Sequence, residues 1–553
     1  MQNRLKFIII TGGVMSGIGK GLVTASIGKN LQIRGLQVIP AKIDPYVNVD
    51  CGTMNPFQHG EVFVTEDGGE IDQDFGNYER ILGLDLPKQN NITTGQVYWE
   101  VIRRERAGDY LGQTVQIIPH ITDEIKRRIR CIGENGKPDI VLVEIGGTVG
   151  DIEGLPFFEA VRQLRAEVGG EDFLHIHVTF VPFLRSVGQQ KTKPTQHSVA
   201  ELRRIGLQPD IIVCRSIDTL NEEARQKIAL FCGVESHGVF SLPDLENIYK
   251  APMGLDKQGL GDFLTTHLDL GKRHADWSKW RTLVKRYEEA ETTVRIAMPG
   301  KYIEFADCYI SVNEALKHAG ATLDPIVRVE IDWIATESFE DDPVKVRMLD
   351  YYHGILVPGG FGGRGTEGKV LTIQWAREKR IPFLGICFGF QLAIVEYARN
   401  VINLENANST ELDPTTPHPV IDILPEQRHQ KDLGGTMRLG SWPVKVKQDT
   451  QAYALYGTQR IVKRHRHRYE VNPEYWERLE QGKIIFSGMS LDGRRMEIFE
   501  LDNHPFFMGT QFHPEFQSRP DKPEPAYYGF IKKAAERAQQ LIQQKATGIQ
   551  GET

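Results

Sequence analysis

The stretch Phe383-Leu384-Gly385-Ile386-Cys387-Phe388-Gly389-Phe390-Gln391 constrains the fold more than any other. Ile381 to Ile386 is an apolar run of buried-strand length. It passes without a spacer into Phe388 to Arg399, whose apolar residues recur at helical spacing. Between them stands Gly-x-Cys-x-Gly, the cysteine form of a nucleophile elbow, in which a sharp strand-to-helix turn holds the nucleophile clear of its neighbours. Side chains in place of the two glycines would collide with the tight turn. The dipole and free amides of the helix N-terminus favour the thiolate. Taken alone, the same residues equally suit a core cysteine beside a glycine-rich turn.

Two distant features decide for the nucleophile. Gly354 to Val357 reads as a strand running into Pro358-Gly359-Gly360-Phe361-Gly362, a turn that can aim backbone amides at a developing oxyanion. Gly509 to Phe512 reads as a short strand ending in His513-Pro514-Glu515. Pro514 is expected to keep that segment extended, so that His513 and Glu515 share a face. Glu515 then orients His513, and His513 takes the thiol proton of Cys387, the logic of a catalytic triad.

The N-terminal end carries a second constellation. Lys6 to Thr11 reads as a buried strand, followed by Gly12-Gly13-Val14-Met15-Ser16-Gly17-Ile18-Gly19-Lys20-Gly21 and a helix ending at Arg34-Gly35. Strand, glycine loop and helix are the setting of a phosphate-binding loop, whose amides cradle phosphate oxygens while Lys20 reaches the outer phosphates. The strict pattern is broken twice. Val14 stands where the first glycine is usual, and Gly21 replaces the Ser or Thr that ligates magnesium. Carboxylates from elsewhere must then hold the metal. Acidic residues at Glu66, Asp67, Glu70, Asp72 and Asp74 suit solvated loop charges, the usual fate of such runs, and as a group are a first candidate for those carboxylates. Glu144 is better placed, near the end of the strand Asp139 to Ile145, because ligands of open α/β sheets sit beyond the carboxyl ends of strands. Lys191-Thr192-Lys193-Pro194-Thr195-Gln196-His197 follows the strand Val178 to Val181. Pro194 is expected to keep it extended; taken alone its lysines suit a solvated loop, and beside a phosphate loop they suit a second phosphorylated ligand.

Strands and helices alternate onward through Ile211 to Cys214, Glu222 to Phe231 and Val239 to Leu242, which predicts a doubly wound α/β domain over residues 1–268. Trp277, Trp280, Val284 and Tyr287 lie at helical spacing and predict a linker helix over 269–293. A second α/β domain follows over 294–545, with strands at Val294 to Met298 and Pro325 to Ile331, and residues 546–553 read as a disordered tail. A chain of 553 residues is too long for one core. Its net charge of -7 argues against a general nucleic-acid binder, even with Lys463-Arg464-His465-Arg466-His467-Arg468. Strand alternation there puts the arginines on one face and the histidines on the other. The six cysteines form no CxxC pair, and no apolar run approaches the ~18 residues of a membrane span, so a cytoplasmic protein is expected.

With these residues in view, the chain resembles the CTP synthase family over essentially its full length. The most specific pieces are Lys42-Ile43-Asp44-Pro45-Tyr46, Gln58 to Val64, Glu144 to Glu153, Lys191 to His197 and His465 to Glu470. The resemblance implies an N-terminal amidoligase domain and a C-terminal class I glutamine amidotransferase domain. ATP phosphorylates O4 of UTP, and ammonia from glutamine displaces the phosphate to give CTP. It assigns Gly17, Ile18, Gly19, Lys20, Gly21 and Lys42 to ATP, and Asp74 and Glu144 to Mg2+. Ser16, Asp151, Ile152, Glu153, Lys191, Thr192, Lys193, Pro194, Thr195, Gln196 and Lys227 go to UTP or the feedback inhibitor CTP. Cys387, His513 and Glu515 form the glutaminase triad, with Gly360, Phe388, Gly389, Phe390, Gln391, Glu411 and Arg468 around the glutamine. A homotetramer, possible filaments and activation by GTP are further implications. Phe388, Phe390, Gln189, Asn77, Cys51, Asn55 and a short loop at Pro425 to Asp432 depart from the usual family pattern. Another P-loop amidoligase would lack the UTP-type lysine motif, and a silent nucleotide-binding scaffold would have no need of Cys387, His513, Glu515, Lys20 and Glu144 together.

Overall fold

The structure, a computed structural model, describes residues 4–55, 59–300, 306–360, 362–423, 427 and 435–548. The chain falls into two compact units, Met1–Cys51 with Asp74–Val284 and Gly52–Gln73 with Lys285–Thr553. These units interleave in sequence where the sequence reading drew contiguous domains. Residues 52–73 leave the first unit and belong to the second. Their strands Val62–Val64 and Glu70–Asp72 pair antiparallel with each other, so the excursion completes its own ladder and adds no strand to either large sheet.

The first unit is built on seven parallel strands: β1 (Lys6–Gly12), β2 (Val38–Asp44), β3 (Asn91–Thr93), β4 (Ile140–Ile145), β5 (Phe173–Phe180), β6 (Ile211–Ser216) and β7 (Val239–Pro243). Their spatial order is β7-β6-β5-β1-β4-β2-β3. Alternate residues feed two cores, Phe7 and Ile9 on one face and Ile8 and Ile10 on the other. Its helices include α1 (Lys20–Ile33), α2 (Asp74–Leu82), α3 (Leu155–Val168), α4 (Lys193–Arg204) and α5 (Glu222–Cys232), and α6 (Ser278–Glu288) begins in it. In α6 the Trp280 indole donates to Tyr249 O at 2.8 Å, anchoring that end of the helix to the first unit.

Helix α4 corrects one expectation. The segment from Lys193 is helical, not extended, because Pro194 occupies the first turn, where its missing N–H has no helical partner to lose.

The second unit carries a nine-stranded sheet: β8 (Thr292–Gly300), β9 (Val327–Ala335), β10 (Gly354–Val357), β11 (Phe383–Ile386), β12 (Arg438–Val446), β13 (Arg460–His467), β14 (Ile484–Ser490), β15 (Met496–Leu501) and β16 (Phe507–Thr510). The order is β9-β8-β10-β11-β16-β15-β14-β12-β13, parallel as far as β16 and antiparallel beyond. Helices α7 (Ile310–Thr322), α8 (Thr366–Glu378), α9 (Phe388–Asn400) and α10 (Pro525–Gly548) cover it. Helix α10 runs through the first three residues of the tail expected to be disordered, and the rest of that tail lies outside the described residues. Most of the loop Pro425 to Asp432 also lies outside them. Among the described residues, no helix is long and apolar enough to cross a membrane.

Two candidate active sites

In the first unit, the sheet register explains the charge cluster. Lys42 and Glu144 are direct partners across the parallel strands β2 and β4, and the Lys42 ammonium lies 2.8 Å from Glu144 Oε1. Lys42 also binds Asp74, the first residue of α2. One turn along the same helix, the Tyr78 hydroxyl donates to Glu144 Oε2, which also accepts from Thr24 Oγ1 at 2.9 Å. Tyr78 and Thr24 are partners that the sequence reading missed. Thr24 lies one helical turn after Lys20, which is the only local signal it offers.

Glu144 is fully buried, and burial pushes its carboxyl above the ordinary value, with Lys42 opposing and Asp74 adding to the rise. Burial pushes Asp74 the same way, but the Lys42 ammonium outweighs it and holds that carboxyl below its usual range. Burial and the neighbouring Lys42 lower the pKa of Lys20, whose ammonium donates to Gly147 O at 2.8 Å.

The missing hydroxyl of the phosphate loop also has a steric cause. A Cβ on Gly21 would collide with Asp74 Oδ1. The carboxylate therefore fills the space that a Ser or Thr side chain would need. Asp74 and Glu144 converge on a single cation, here the Lys42 ammonium, and one or two carboxylates are what Mg2+ ordinarily takes from a protein when phosphate oxygens complete its shell. The residues present thus fit the ion, although no larger His, Cys, Asp or Glu cluster occurs among the described residues.

The residues expected to hold UTP or CTP follow the carboxyl ends of β4, β5 and β6. Asp151 Oδ2 accepts from Thr148 N at 2.8 Å, while Ile152 and Glu153 are exposed. The Lys191 ammonium donates to Gln189 Oε1 at 2.8 Å, and Gln196 Nε2 to Thr192 Oγ1 at 3.0 Å. Lys193 lies 5.6 Å from the centroid of the Phe231 ring on α5, the helix that carries Lys227. Ser16 is exposed in the phosphate loop. These bonds are separate and do not draw the residues into one cluster.

In the second unit, Cys387 stands between β11 and α9 with φ 51 and ψ -98, an uncommon conformation for a residue with a side chain. A Cβ on Gly389 would collide with Val357 O, so the elbow glycine lets α9 pack directly against β10. Cys387 N donates to Thr510 O at 2.7 Å, and its Sγ lies 3.6 Å from Arg466 O and 3.8 Å from Gln511 Nε2.

His513 Nδ1 is 2.7 Å from Glu515 Oε1, whose other oxygen accepts from Tyr527. The geometry differs from the extended segment expected. The strand ends at Thr510, and Pro514 opens a 3-10 turn over Pro514–Gln517 that still brings Glu515 back onto His513. A Cβ on Gly359 would lie 2.9 Å from His513 Cε1 and 3.7 Å from Cys387 Cβ, which places nucleophile, histidine and glycine turn together. Burial works against a charged His513, yet Glu515 and the Cys387 sulfur raise its pKa to about 10. The site thus favours an imidazolium at His513, beside the sulfur.

A cavity of about 90 Å³ opens here, lined by Cys387, His513, Gly360 and Arg466 together with Glu61 and Val62 of the excursion. The excursion is fastened by Arg466 to Glu70 at 2.8 Å, by Arg464 to Val64 O at 3.0 Å, and by the Glu61 carboxylate on Ser311, near the start of α7. Glu61 and Val62 fall within a motif quoted for the family, but nothing in the sequence assigns them to this wall. The basic run ending at Arg468 is packed inward: Arg464 is fully buried, and His465 pairs with Glu497 at 2.9 Å. The residues expected around the glutamine are more spread. Gln391 Nε2 donates to Tyr469 O at 2.9 Å, Glu411 Oε1 accepts from Gly362 N at 3.0 Å, and Arg468 is held by Gln427 and Thr436. Phe388 packs under Lys369, and Phe390 against Phe499.

Comparison with known proteins agrees with this division of chemistry. Residues 6–270 match the family described as CTP synthase N-terminus, and residues 304–533 match glutamine amidotransferase class-I. A CTP synthase of Pyrococcus abyssi is 56% identical over 536 residues, covering 97% of this chain and 99% of that protein. One from Methanopyrus kandleri is 55% identical over 533 residues, covering 96% and 99%, and one from Carboxydothermus hydrogenoformans is 54% identical over 526 residues, covering 95% and 98%. A solved glutaminase domain of Trypanosoma brucei CTPS with bound acivicin is 36% identical, covering 44% of this chain and 94% of that one at a TM-score of 0.42. The chain belongs to the CTP synthase family.

Proposed function

We propose that this protein makes CTP from UTP, ATP and glutamine, with the second unit releasing ammonia and the first unit using it. The observation that carries the reading is the presence in one chain of a cysteine triad and a Lys42–Asp74–Glu144 cluster beside a phosphate loop.

In the second unit, the Cys387 sulfur attacks the glutamine amide carbon. The amides of Gly360 and Phe388 receive the oxyanion, and the His513 proton passes to the departing ammonia. Water then cleaves the thioester to glutamate and restores the thiol. Glu515 keeps His513 oriented and charged. Gln391, Glu411 and Arg468, with Gly389 and Phe390 of the elbow, position the glutamine.

In the first unit, Lys20 and Lys42 draw the ATP phosphates toward O4 of UTP, and the γ-phosphoryl group moves to that oxygen as ADP leaves. Ammonia adds at C4 and phosphate departs, giving CTP. Asp74 and Glu144 are the groups that would hold Mg2+, which supplies charge neutralisation at the transferring phosphoryl group. The loop amides from Gly17 to Gly21 hold ATP phosphates. Ser16, Lys191 to Gln196 and Lys227 take the UTP side, with Asp151 to Glu153 at the overlapping CTP position.

The proposal extends to a cytoplasmic homotetramer activated by GTP, capable of further assembly into filaments. Exposed apolar side chains on the first unit, among them Trp99, Ile102, Leu111, Ile117 and Ile118, support self-association. The direct test is CTP formation by the pure protein with UTP, ATP, Mg2+ and glutamine. Product that depends on each of these components is expected, and its absence with all of them present would refute the reading.

A further inference from the structure

Beneath the phosphate loop runs a buried polar chain that no step above uses. Thr11 of β1 is fully buried, and its Oγ1 lies 2.9 Å from His175 Nε2 and 2.9 Å from His177 Nδ1. The two histidines alternate along β5 on one face, in register with β1, where Thr11 is the direct partner of His177. His177 Nε2 in turn lies 2.7 Å from Ser198 Oγ on α4, the helix that begins at Lys193. The loop rests directly on this last bond. A Cβ on Gly13 would overlap Ser198 Oγ and come within 2.7 Å of His177 Nε2, and Gly13 N donates to Val178 O at 3.0 Å.

Both histidines have no exposed surface, and burial pushes His175 down to about 3 and His177 well below the ordinary value. Each is therefore neutral, with a proton on one ring nitrogen and an acceptor lone pair on the other. Thr11 has one proton to share between them, so it donates to one and accepts from the other. The direction chosen there passes through His177 and fixes which way the Ser198 bond points. Such a chain keeps its members in register, because reversing one bond requires reversing the others.

We propose that the His177–Ser198 bond is a positioning strut that registers the phosphate loop against the helix carrying Lys193 and Gln196, so that filling one nucleotide site prepares the other. The inference rests on the assignment of ATP to the loop and UTP to that helix. Neither residue touches a reacting atom. They act through the backbone of Gly13 and through α4.

The test is the factor by which a non-hydrolysable ATP analogue with Mg2+ tightens UTP binding, measured by calorimetry at one protein concentration. The wild-type factor is expected to be on the order of 5- to 150-fold. Ser198→Ala removes the hydroxyl without adding volume and should bring the factor close to one, while each nucleotide alone binds within about twofold of wild type. His177→Gln sets an amide near the Nε2 position and should keep most of the factor. His177→Asn reaches only the Thr11 side and should lose it. A wild-type factor of one, an unchanged factor in Ser198→Ala or His177→Asn of normal melting temperature, or equal loss in His177→Gln and His177→Asn would overturn the strut. Failure of the wild type to bind UTP at all would instead overturn the functional reading on which it rests.

Discussion

The two sites are assembled from the sequence in opposite ways. Around Cys387, one run of consecutive residues supplies strand, turn, nucleophile and helix N-terminus, and the elbow φ of 51 is a property of that run. Around Lys42, nothing local suffices. Lys42 and Glu144 meet because β2 and β4 are neighbours in register, and Asp74 arrives on the first turn of a helix that follows an excursion into the other unit. The nucleophile, which depends on backbone geometry, is local in sequence, whereas its His513–Glu515 partner beside β16 and the whole charge cluster at Lys42 are set by sheet order. At the second site, each charge leans on the others, as Lys42 does on Asp74 and Glu144.

The largest effect expected is on the local site. Cys387→Ala should lower glutamine-dependent synthesis by on the order of 10⁴-fold or more, because the triad acts as a unit. Synthesis from ammonium salt should persist and rise with pH toward the ammonia pKa, since neutral NH3 is the attacking species. Loss of both activities in a folded variant would break the division between the sites.

Next comes the dispersed site. Glu144→Gln keeps the side-chain volume but removes the charge that Lys42, Tyr78 and Thr24 converge on, and should lower synthesis from either nitrogen source by about 10²- to 10³-fold. Steady-state rates with glutamine and with ammonia check it, and normal turnover from ammonia would remove Glu144 from the mechanism.

The difference between the sites also decides how much was legible. The elbow, the glycine turn and the His-x-Glu pair follow from residue types and spacing, because local sterics determine each. Even there Pro514 was misread: a proline that blocks a helix interior also opens a turn. Pro194 carried the same ambiguity at the start of α4. Tyr78 gives no recognisable signal and Thr24 only its spacing from Lys20, since their role comes from the place Glu144 takes in the sheet. The grouping of residues 52–73 with the second unit was equally hidden, because their hairpin pairs with itself and reads as an acidic loop.

A smaller effect sharpens the same contrast. Gly21→Ser restores the hydroxyl of the usual phosphate loop, yet its Cβ would strike Asp74 Oδ1. Synthesis should fall by about 10²-fold, as expected when catalytic groups are displaced by about 1 Å. An unchanged or faster enzyme would show that Asp74 does not stand in for that hydroxyl.

The smallest displacement is in pH dependence, over and above the rate that a change at Glu515 costs the triad. His513 has a pKa of about 10 because Glu515 and Cys387 outweigh burial. Its folded value lies above the ordinary 6.5. The stability from this charge is therefore complete below about 6.5 and lost as pH rises through about 10. The alkaline limb of glutamine hydrolysis should fall near the same upper value. Glu515→Gln leaves burial less opposed and should move that limb to lower pH, with melting temperature losing its alkaline dependence in parallel. A limb that stays in place would separate Glu515 from the protonation of His513.

The central claim, that one chain takes nitrogen from glutamine at Cys387 and installs it on UTP at the Lys42 cluster, is tested most directly with isotope. The protein is given UTP, ATP, Mg2+, glutamine labelled with nitrogen-15 in its amide and unlabelled ammonium, and the CTP is analysed by mass spectrometry. The account predicts labelled CTP from the wild type and only unlabelled CTP from Cys387→Ala. Labelled CTP from Cys387→Ala, or none from the wild type while it hydrolyses glutamine, would contradict it.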